Sequence, residues 1–374
     1  MIVLHAITDL EVGGAETLLT AVLQRLRPRL DQIHVAYFYG NSWIPNQLAQ
    51  QGIVVHKLPS AYKADPRGVW ALCKLIRKIR PDILHSHLIQ GDWAASVART
   101  LARARCPHIS TKHNLHYFKG HPGWTQGVDA RFNRRLSAMI TVSQAVAEDY
   151  QAQCRVGTDR IRVIPNGIDL DRFSTPETPR AETRRALAIP EEAPVLITVA
   201  SLTAQKGHAV MLQAIEQLVD TFPNLIWVIV GGGKLKYQIE ALADRPATRR
   251  HCRFLGNRQD VPDLLHASDL FVLPSLWEGF GIAALEAAAA GLPLVLSRTG
   301  GMVEVFAGPE EAALFATPGN AGELAQQIRT LLQDPTLHRQ LSLQARARAE
   351  QYDLNTIALQ WFDLYRSLVD GTGL

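Results

Sequence analysis

Glu278 and Glu286 stand with seven residues between them and bracket the turn Gly279-Phe280-Gly281. A carboxylate accepts two hydrogen bonds from neighbouring hydroxyls, so such a pair suits a polyhydroxylated ligand, with Glu278 on a sugar-like polyol and Glu286 on a ribose-like diol. Glycines at 279 and 281 let the backbone approach that ligand closely. The helix start behind them presents free N–H groups and a positive dipole end, which suits an anion. The flanking pattern supplies the elements that must hold these groups. An apolar strand, Leu270–Leu273, enters the loop, and an alanine-rich helix carries Glu286. A second apolar strand, Leu292–Leu296, ends at Gly300-Gly301, completing a βαβ unit.

The run Pro274-Ser275-x-x-Glu278-Gly279-Phe280-Gly281-x-x-x-x-Glu286-Ala287-x-Ala289-x-Gly291-x-Pro293 closely resembles the retaining, nucleotide-sugar-dependent GT-B glycosyltransferases of family 4. The resemblance extends along nearly the whole chain. It implies an α/β fold of GT-B type, two Rossmann-like domains facing each other across a cleft, with the C-terminal helix crossing back to the first domain. It also implies a donor site of Gly13, Gly14, Ser201, Lys206, Leu255, Glu278, Gly279, Phe280, Gly281 and Glu286, with His113, Lys206 and Glu278 at the chemistry. Glu16, His87, Asn114 and Tyr117 fall on the acceptor side. The implied donor is a nucleoside-diphosphate sugar, a uridine one favoured. The implied acceptor is a glycan or lipid-linked hydroxyl, as in cell-surface polysaccharide assembly. No cofactor, metal or nucleic acid is expected.

One departure bears on the phosphate chemistry. In Ala200-Ser201-Leu202-Thr203-Ala204-Gln205-Lys206-Gly207 the family's usual arginine is replaced by Ser201, while the lysine is kept as Lys206. One unit charge beside a phosphate is worth on the order of a few kcal/mol in a partly dry site. Arg258 and Arg298 are candidate replacement cations, and the Ser201 hydroxyl is another way to meet a phosphate oxygen. A non-catalytic nucleotide-sugar binder, or a GT-B phosphorylase or epimerase, stays open as an alternative.

Other motifs read as follows. Gly231-Gly232-Gly233 after a strand is a donor-site wall, and Phe254-Leu255-Gly256-Asn257 matches a base-binding segment by the same resemblance. His85-Ser86-His87 puts two rings on one strand face, but no third ligand is evident, so no metal is assigned. Asp169-Leu170-Asp171 lies in a polar stretch and is likewise given no metal.

The strands and helices alternate throughout. The first half gives strands at Ile2–Ile7, Gln32–Phe38, Val54–Lys57, Ile83–His87, Ile109–Lys112, Met139–Val142 and Arg162–Ile164, with helices from about Ala15 and Pro66. Residues 167–180, with Pro176 and Pro179, read as a linker. The second half gives strands at Val195–Ala200, Leu225–Val230, Cys252–Leu255, Leu270–Leu273 and Leu292–Leu296. Apolar Ile357, Leu359, Trp361, Leu364 and Leu368 mark a last helix. The domains predicted are 1–170, 171–350 and a returning helix in 351–374. Alternating β and α patterns imply parallel sheets, whose ligands lie beyond the carboxyl ends of the strands.

The composition suits two domains: 374 residues, 47% hydrophobic and 20% charged. No apolar run approaches the length of a membrane span. The start MIVLHAITDL reads as a strand rather than a signal peptide. Four scattered cysteines without a C-x-x-C point to reduced thiols and a cytoplasmic protein. Residues 1–170 hold 21 basic and 12 acidic side chains, a balance of +9, against −5 in the remainder. That asymmetry suits an anionic acceptor, or peripheral contact with the inner face of an anionic membrane through the basic helix at 66–80.

Overall fold

The computed structural model describes residues 1–11, 13–60, 65–115, 123–154 and 157–372. The chain divides into two compact units: Met1–Gly167 with Leu354–Leu374, and Ile168–Asp353. Each is built on its own parallel sheet.

The first sheet holds β1 (Ile2–Asp9), β2 (Gln32–Tyr39), β3 (Val54–Lys57), β4 (Ile83–His87), β5 (His108–Lys112), β6 (Ala138–Thr141) and β7 (Ile161–Val163). Their spatial order is β3-β2-β1-β4-β5-β6-β7. The order turns back between β1 and β4, where the connections leave to opposite sides and open a crevice at the carboxyl ends. The central strands are buried on both faces because helices cover both, although β4 and β5 also enclose polar side chains, His85-Ser86-His87 and Ser110-Thr111-Lys112. Residue pairing sets His5 beside His85 and Ile7 beside His87.

The closing helix, Leu354–Asp370, belongs to this unit and packs on the helix Gly14–Leu26. It buries Ile357, Trp361, Leu364 and Tyr365. Leu359, counted above with its apolar face, is 40% exposed. A step of two residues rotates a side chain by about 200°, to the far side of a 3.6-residue turn. The helix Pro66–Ile79 begins at Asp65, whose carboxylate accepts from the Arg67 N–H. It leaves Trp70 49% exposed, with the Lys74 ammonium over its ring. Among the described residues no helix is long and apolar enough to cross a membrane.

The second sheet holds β8 (Val195–Val199), β9 (Ile226–Val230), β10 (Cys252–Gly256), β11 (Leu270–Leu273), β12 (Leu294–Ser297) and β13 (Leu314–Ala316). Their order is β10-β9-β8-β11-β12-β13, so the turn-back point lies between β8 and β11. A core of Leu196, Trp227, Ile229, Val272 and Val295 lies against helical Met211, Ile215 and Ile328. The strand expected from Leu292 starts at Leu294 instead. The Leu292 N–H is taken by the Ala287 carbonyl at the preceding helix end, and Pro293 has no N–H to offer a ladder. The stretch 167–180 is more than a linker: Leu170–Ser174 is a short helix that buries Phe173. Its prolines follow that helix and do not interrupt it.

Candidate functional site

In the second unit the chemistry-bearing residues gather at the turn-back point. Since β8 and β11 are hydrogen-bonded neighbours, the loops leaving their carboxyl ends run side by side. The Leu276 N–H donates to the Gln205 carbonyl at 2.7 Å, and the Gln205 side-chain amide donates to the Trp277 carbonyl at 3.0 Å. Gly207 has φ +65°, and a side chain there would strike the Pro274 backbone. This close approach carries the Lys206 ammonium onto the Glu278 carboxylate as a short ion pair. The Ser275 hydroxyl donates to the same carboxylate oxygen at 3.3 Å. Glu278 is buried, so its charge is held by these two partners and not by bulk water.

Gly281 has φ +89° and caps the helix Ile282–Ala289 without any side-chain hydrogen bond, which leaves the first amides of that helix open. Gly301 packs its backbone on Gly279, where a Cβ would collide with the Gly279 carbonyl. Phe280 is 3% exposed, and its ring meets Tyr352 edge-on at 5.6 Å between centroids. Its ring is spent in the core, so what Phe280 can offer a ligand is its backbone. Glu286 sits on the second turn of the helix. Burial raises its pKa to about 7, and Arg172 pulls in the opposite direction. Arg172 stands on the short helix Leu170–Ser174, inside the stretch read as a linker, which is why sequence pattern did not select it. Leu255 lies on β10, half-buried, and Asn257 just beyond it stands next to Gly232. Ser201 is exposed at the end of β8. The two arginines considered as replacement cations are engaged elsewhere: Arg258 grips Asp260 at 2.5 and 2.7 Å, and Arg298 lies over the Phe315 ring at 4.8 Å.

In the first unit Gly13 precedes the helix that starts at Gly14, and a side chain at 13 would run into the Glu16 carboxylate. Glu16 is buried, and its pKa is raised to about 7 by that burial, with Asp9 and Glu11 adding to the rise. His87 ends β4, while His113 and exposed Asn114 follow β5. Tyr117 lies outside the described residues. Neither ring nitrogen of His113 has a hydrogen-bond partner among the described residues. His85 and His87 stack at 4.3 Å between centroids, and β1 adds a third ring, His5, that the sequence did not flag. Nitrogens of His5, His85 and His87 lie within 4.8 Å of one another. His85 uses both nitrogens, on the Tyr365 hydroxyl at 2.6 Å and the Thr111 hydroxyl at 2.7 Å. His5 and His87 bond each other at 3.0 Å. His5 Nε2 and His87 Nδ1 have no partner among the described residues, and His85 would have to give up one of its two bonds to ligate with them. As it stands, the His85–Tyr365 bond seats the closing helix on the sheet.

These histidines are buried neutral. Desolvation lowers His5 to about 3 and His113 to about 4, and holds His85 and His87 well below the usual 6.5. His108, on the same sheet, is lowered to about 3 by burial. The unfolded chain takes up protons below its own pKa of about 6.5, while the folded unit does not, so stability falls with pH by about 1.4 kcal/mol per pH unit for each ring. The window runs from about 6.5 down to the folded values of 3 to 4. Glu16 acts in the opposite sense between 4.5 and about 7, because there the folded state holds the extra proton, and it offsets one ring. The resistance of the first unit to urea is therefore expected to fall steeply as pH drops from 6.5 to 5. A flat profile would show that the rings titrate alike in both states.

The comparisons with known proteins agree with this architecture. The family described as Glycosyl transferases group 1 matches residues 179–348, and Glycosyltransferase Family 4 matches residues 12–172. Glycogen synthase of Mycobacterium tuberculosis is 32% identical over 302 residues, covering 77% of this chain and 69% of that protein. A D-inositol 3-phosphate glycosyltransferase of Corynebacterium urealyticum is 29% identical over 338 residues, covering 85% and 78%. The crystal structure of Anabaena HepE in complex with UDP superposes with a TM-score of 0.84 at 25% identity, over 98% of this chain and 100% of that one. With two parallel α/β units, a lysine–glutamate pair where their sequence patterns place it, and these matches over both halves, the chain belongs to the GT-B glycosyltransferases of family 4.

Proposed function

We propose that this protein is a retaining glycosyltransferase that takes a sugar from a nucleoside diphosphate, a uridine diphosphate sugar first among candidates, and passes it to a hydroxyl of a glycan or lipid-linked acceptor. The observation that carries this reading is the Lys206–Glu278 pair beside the open amides of the helix Ile282–Ala289. A cation and free N–H groups at one loop suit a leaving diphosphate, and a carboxylate beside them suits a sugar hydroxyl. The UDP complex of HepE and the glycosyltransferase relatives support the donor class. The basic balance of residues 1–170, +9, supports an anionic acceptor.

In this reading the bond from the sugar's anomeric carbon to the phosphate oxygen breaks, and the electron pair leaves with the diphosphate. Lys206 and the amides of 279–281 stabilise that charge. The acceptor oxygen bonds to the same face of the anomeric carbon, and its proton passes to the departing phosphate. Glu278 and His113 hold sugar hydroxyls, and Glu286 holds the ribose. No protein carboxylate acts as base, and no metal takes part.

Calorimetric titration with UDP, GDP and ADP, with and without a divalent cation, tests the reading. Selective, metal-independent binding of one nucleotide is expected, and no binding by the folded chain would overturn it. Glu286→Ala is expected to weaken that nucleotide by on the order of 10–100-fold, the worth of hydrogen bonds to a charged acceptor. Because Glu286 titrates near 7, the carboxylate predominates above that pH, and affinity in the unaltered chain should rise from pH 6 to 8. A variant with unchanged affinity would remove Glu286 from the ribose.

A further inference from the structure

We propose that Lys234 supplies the second cation of the diphosphate site, in the place that Ser201 leaves without one. The inference rests on the nucleotide-sugar reading above and concerns its phosphate end. A nucleoside diphosphate brings at least two negative charges. The one cation identified so far, Lys206, is already paired with Glu278. The loops at this point contain other basic residues, but most are committed. Arg258 holds Asp260, Arg298 lies over Phe315, Arg172 lies over Phe173, and Lys236 pairs with Glu240 at 3.9 Å.

Lys234 is different. It is exposed, and among the described residues it makes no hydrogen bond or ion pair. Its backbone is nevertheless tied to the phosphate loop. Strands β8 and β9 are parallel neighbours, so residues 200–203 and 231–235 leave the same end of the sheet together. The Leu202 N–H donates to the Gly232 carbonyl at 2.8 Å, and the Leu235 N–H donates to the Leu202 carbonyl at 3.0 Å. Gly233 has φ +157°, and a Cβ there would stand 2.5 Å from the Leu202 oxygen. Gly231 likewise presses on Ala200, where a Cβ would stand 2.9 Å from the carbonyl carbon. Lys234 is thus clamped between two residues that both touch the backbone of Leu202, the residue next to Ser201. A lysine stem carries its ammonium several ångströms from the backbone on rotatable bonds, so it is free to follow a phosphate oxygen at this loop. Gly231 and Gly233, which precede it, explain the placement: only residues without a Cβ allow the two loops to run this close.

The experiment is calorimetric titration of four full-length chains: unaltered, Lys234→Met, Ser201→Arg and the double variant. The probes are UDP, GDP and ADP, with the matching nucleoside monophosphate as control. Lys234→Met is expected to weaken the preferred diphosphate by on the order of 10–100-fold and the monophosphate much less. Ser201→Arg is expected to restore the diphosphate affinity of the Lys234→Met chain. Equal diphosphate affinity in the unaltered and Lys234→Met chains would overturn the assignment of Lys234 and leave the donor reading intact. An equal loss for diphosphate and monophosphate, or no gain from Ser201→Arg, would also overturn it. Failure of the unaltered chain to bind any of the three diphosphates would overturn the donor reading and this proposal together.

Discussion

Lys206→Ala is expected to lower turnover by on the order of 10²–10³-fold, the usual cost of removing one preorganised group aimed at developing charge. The ion pair with Glu278 places the ammonium at the open helix start, where departing phosphate charge would collect. Cost to the fold should be small. Lys206 keeps 19% of its side chain in solvent, and the carboxylate left behind still accepts from Ser275. Lys206→Arg keeps the charge and is expected to recover a large part of the rate. Initial rates with a UDP sugar, read beside the melting temperature of each variant, separate the two effects. Undiminished kcat in a folded Lys206→Ala protein would remove this residue from the mechanism.

Lys112→Met is expected to produce the largest loss of stability, about 3–5 kcal/mol, because it strips the cation from a buried carboxylate pair. Lys112 is fully enclosed at the end of β5. Its ammonium donates to Asp92 at 2.6 Å and stands 4.0 Å from Asp129. Burial alone would lower its pKa, but Asp92 and Asp129 more than offset that and hold it above the usual lysine range. Asp92 also accepts from the hydroxyls of Ser86 at 2.6 Å and Ser110 at 2.8 Å, tying β4 to β5. Asp129 accepts from Trp93 at 3.0 Å and Asn133 at 2.7 Å. Without Lys112 two carboxylates share a dry space, and one must take up a proton. The double variant Lys112→Met, Asp92→Asn should therefore lose less than the two single variants summed, since the partners act as one unit. Chemical denaturation of the four proteins measures this directly. A loss under about 1 kcal/mol for Lys112→Met would mean that water reaches the network.

The departure at Ser201 acquires a different meaning from the structure. In sequence it is a missing charge, with Arg258 and Arg298 as the obvious substitutes by type. Both prove to be engaged, Arg258 by Asp260 in its own loop and Arg298 over the Phe315 ring of β13. The cation that stands in the right loop is one that attracts no notice in sequence, because Lys234 follows three glycines in a stretch read only as a wall.

What the sequence by itself determined is everything that short-range periodicity and a local motif can carry. Apolar runs of strand length alternating with helical patterns were enough for two parallel α/β units, because most buried parallel strands read as continuous apolar runs. The Glu278–Glu286 frame was legible for the same reason: both carboxylates and the glycines between them belong to one loop and the helix it enters. Tertiary structure alone decided which distant segments share a strand end. The order β9-β8-β11 brings Lys206 onto Glu278 across 72 residues and lays the loop that carries Lys234 against Leu202. The order β1-β4-β5 joins His5 to His85 and His87, and seats Lys112 on Asp92. Crossover order follows from the packing of whole helices against whole sheets, and no window of neighbouring residues contains it. Burial likewise belongs to the assembled unit, so the neutral histidines and the raised Glu286 are products of the fold, although each residue was plain to read.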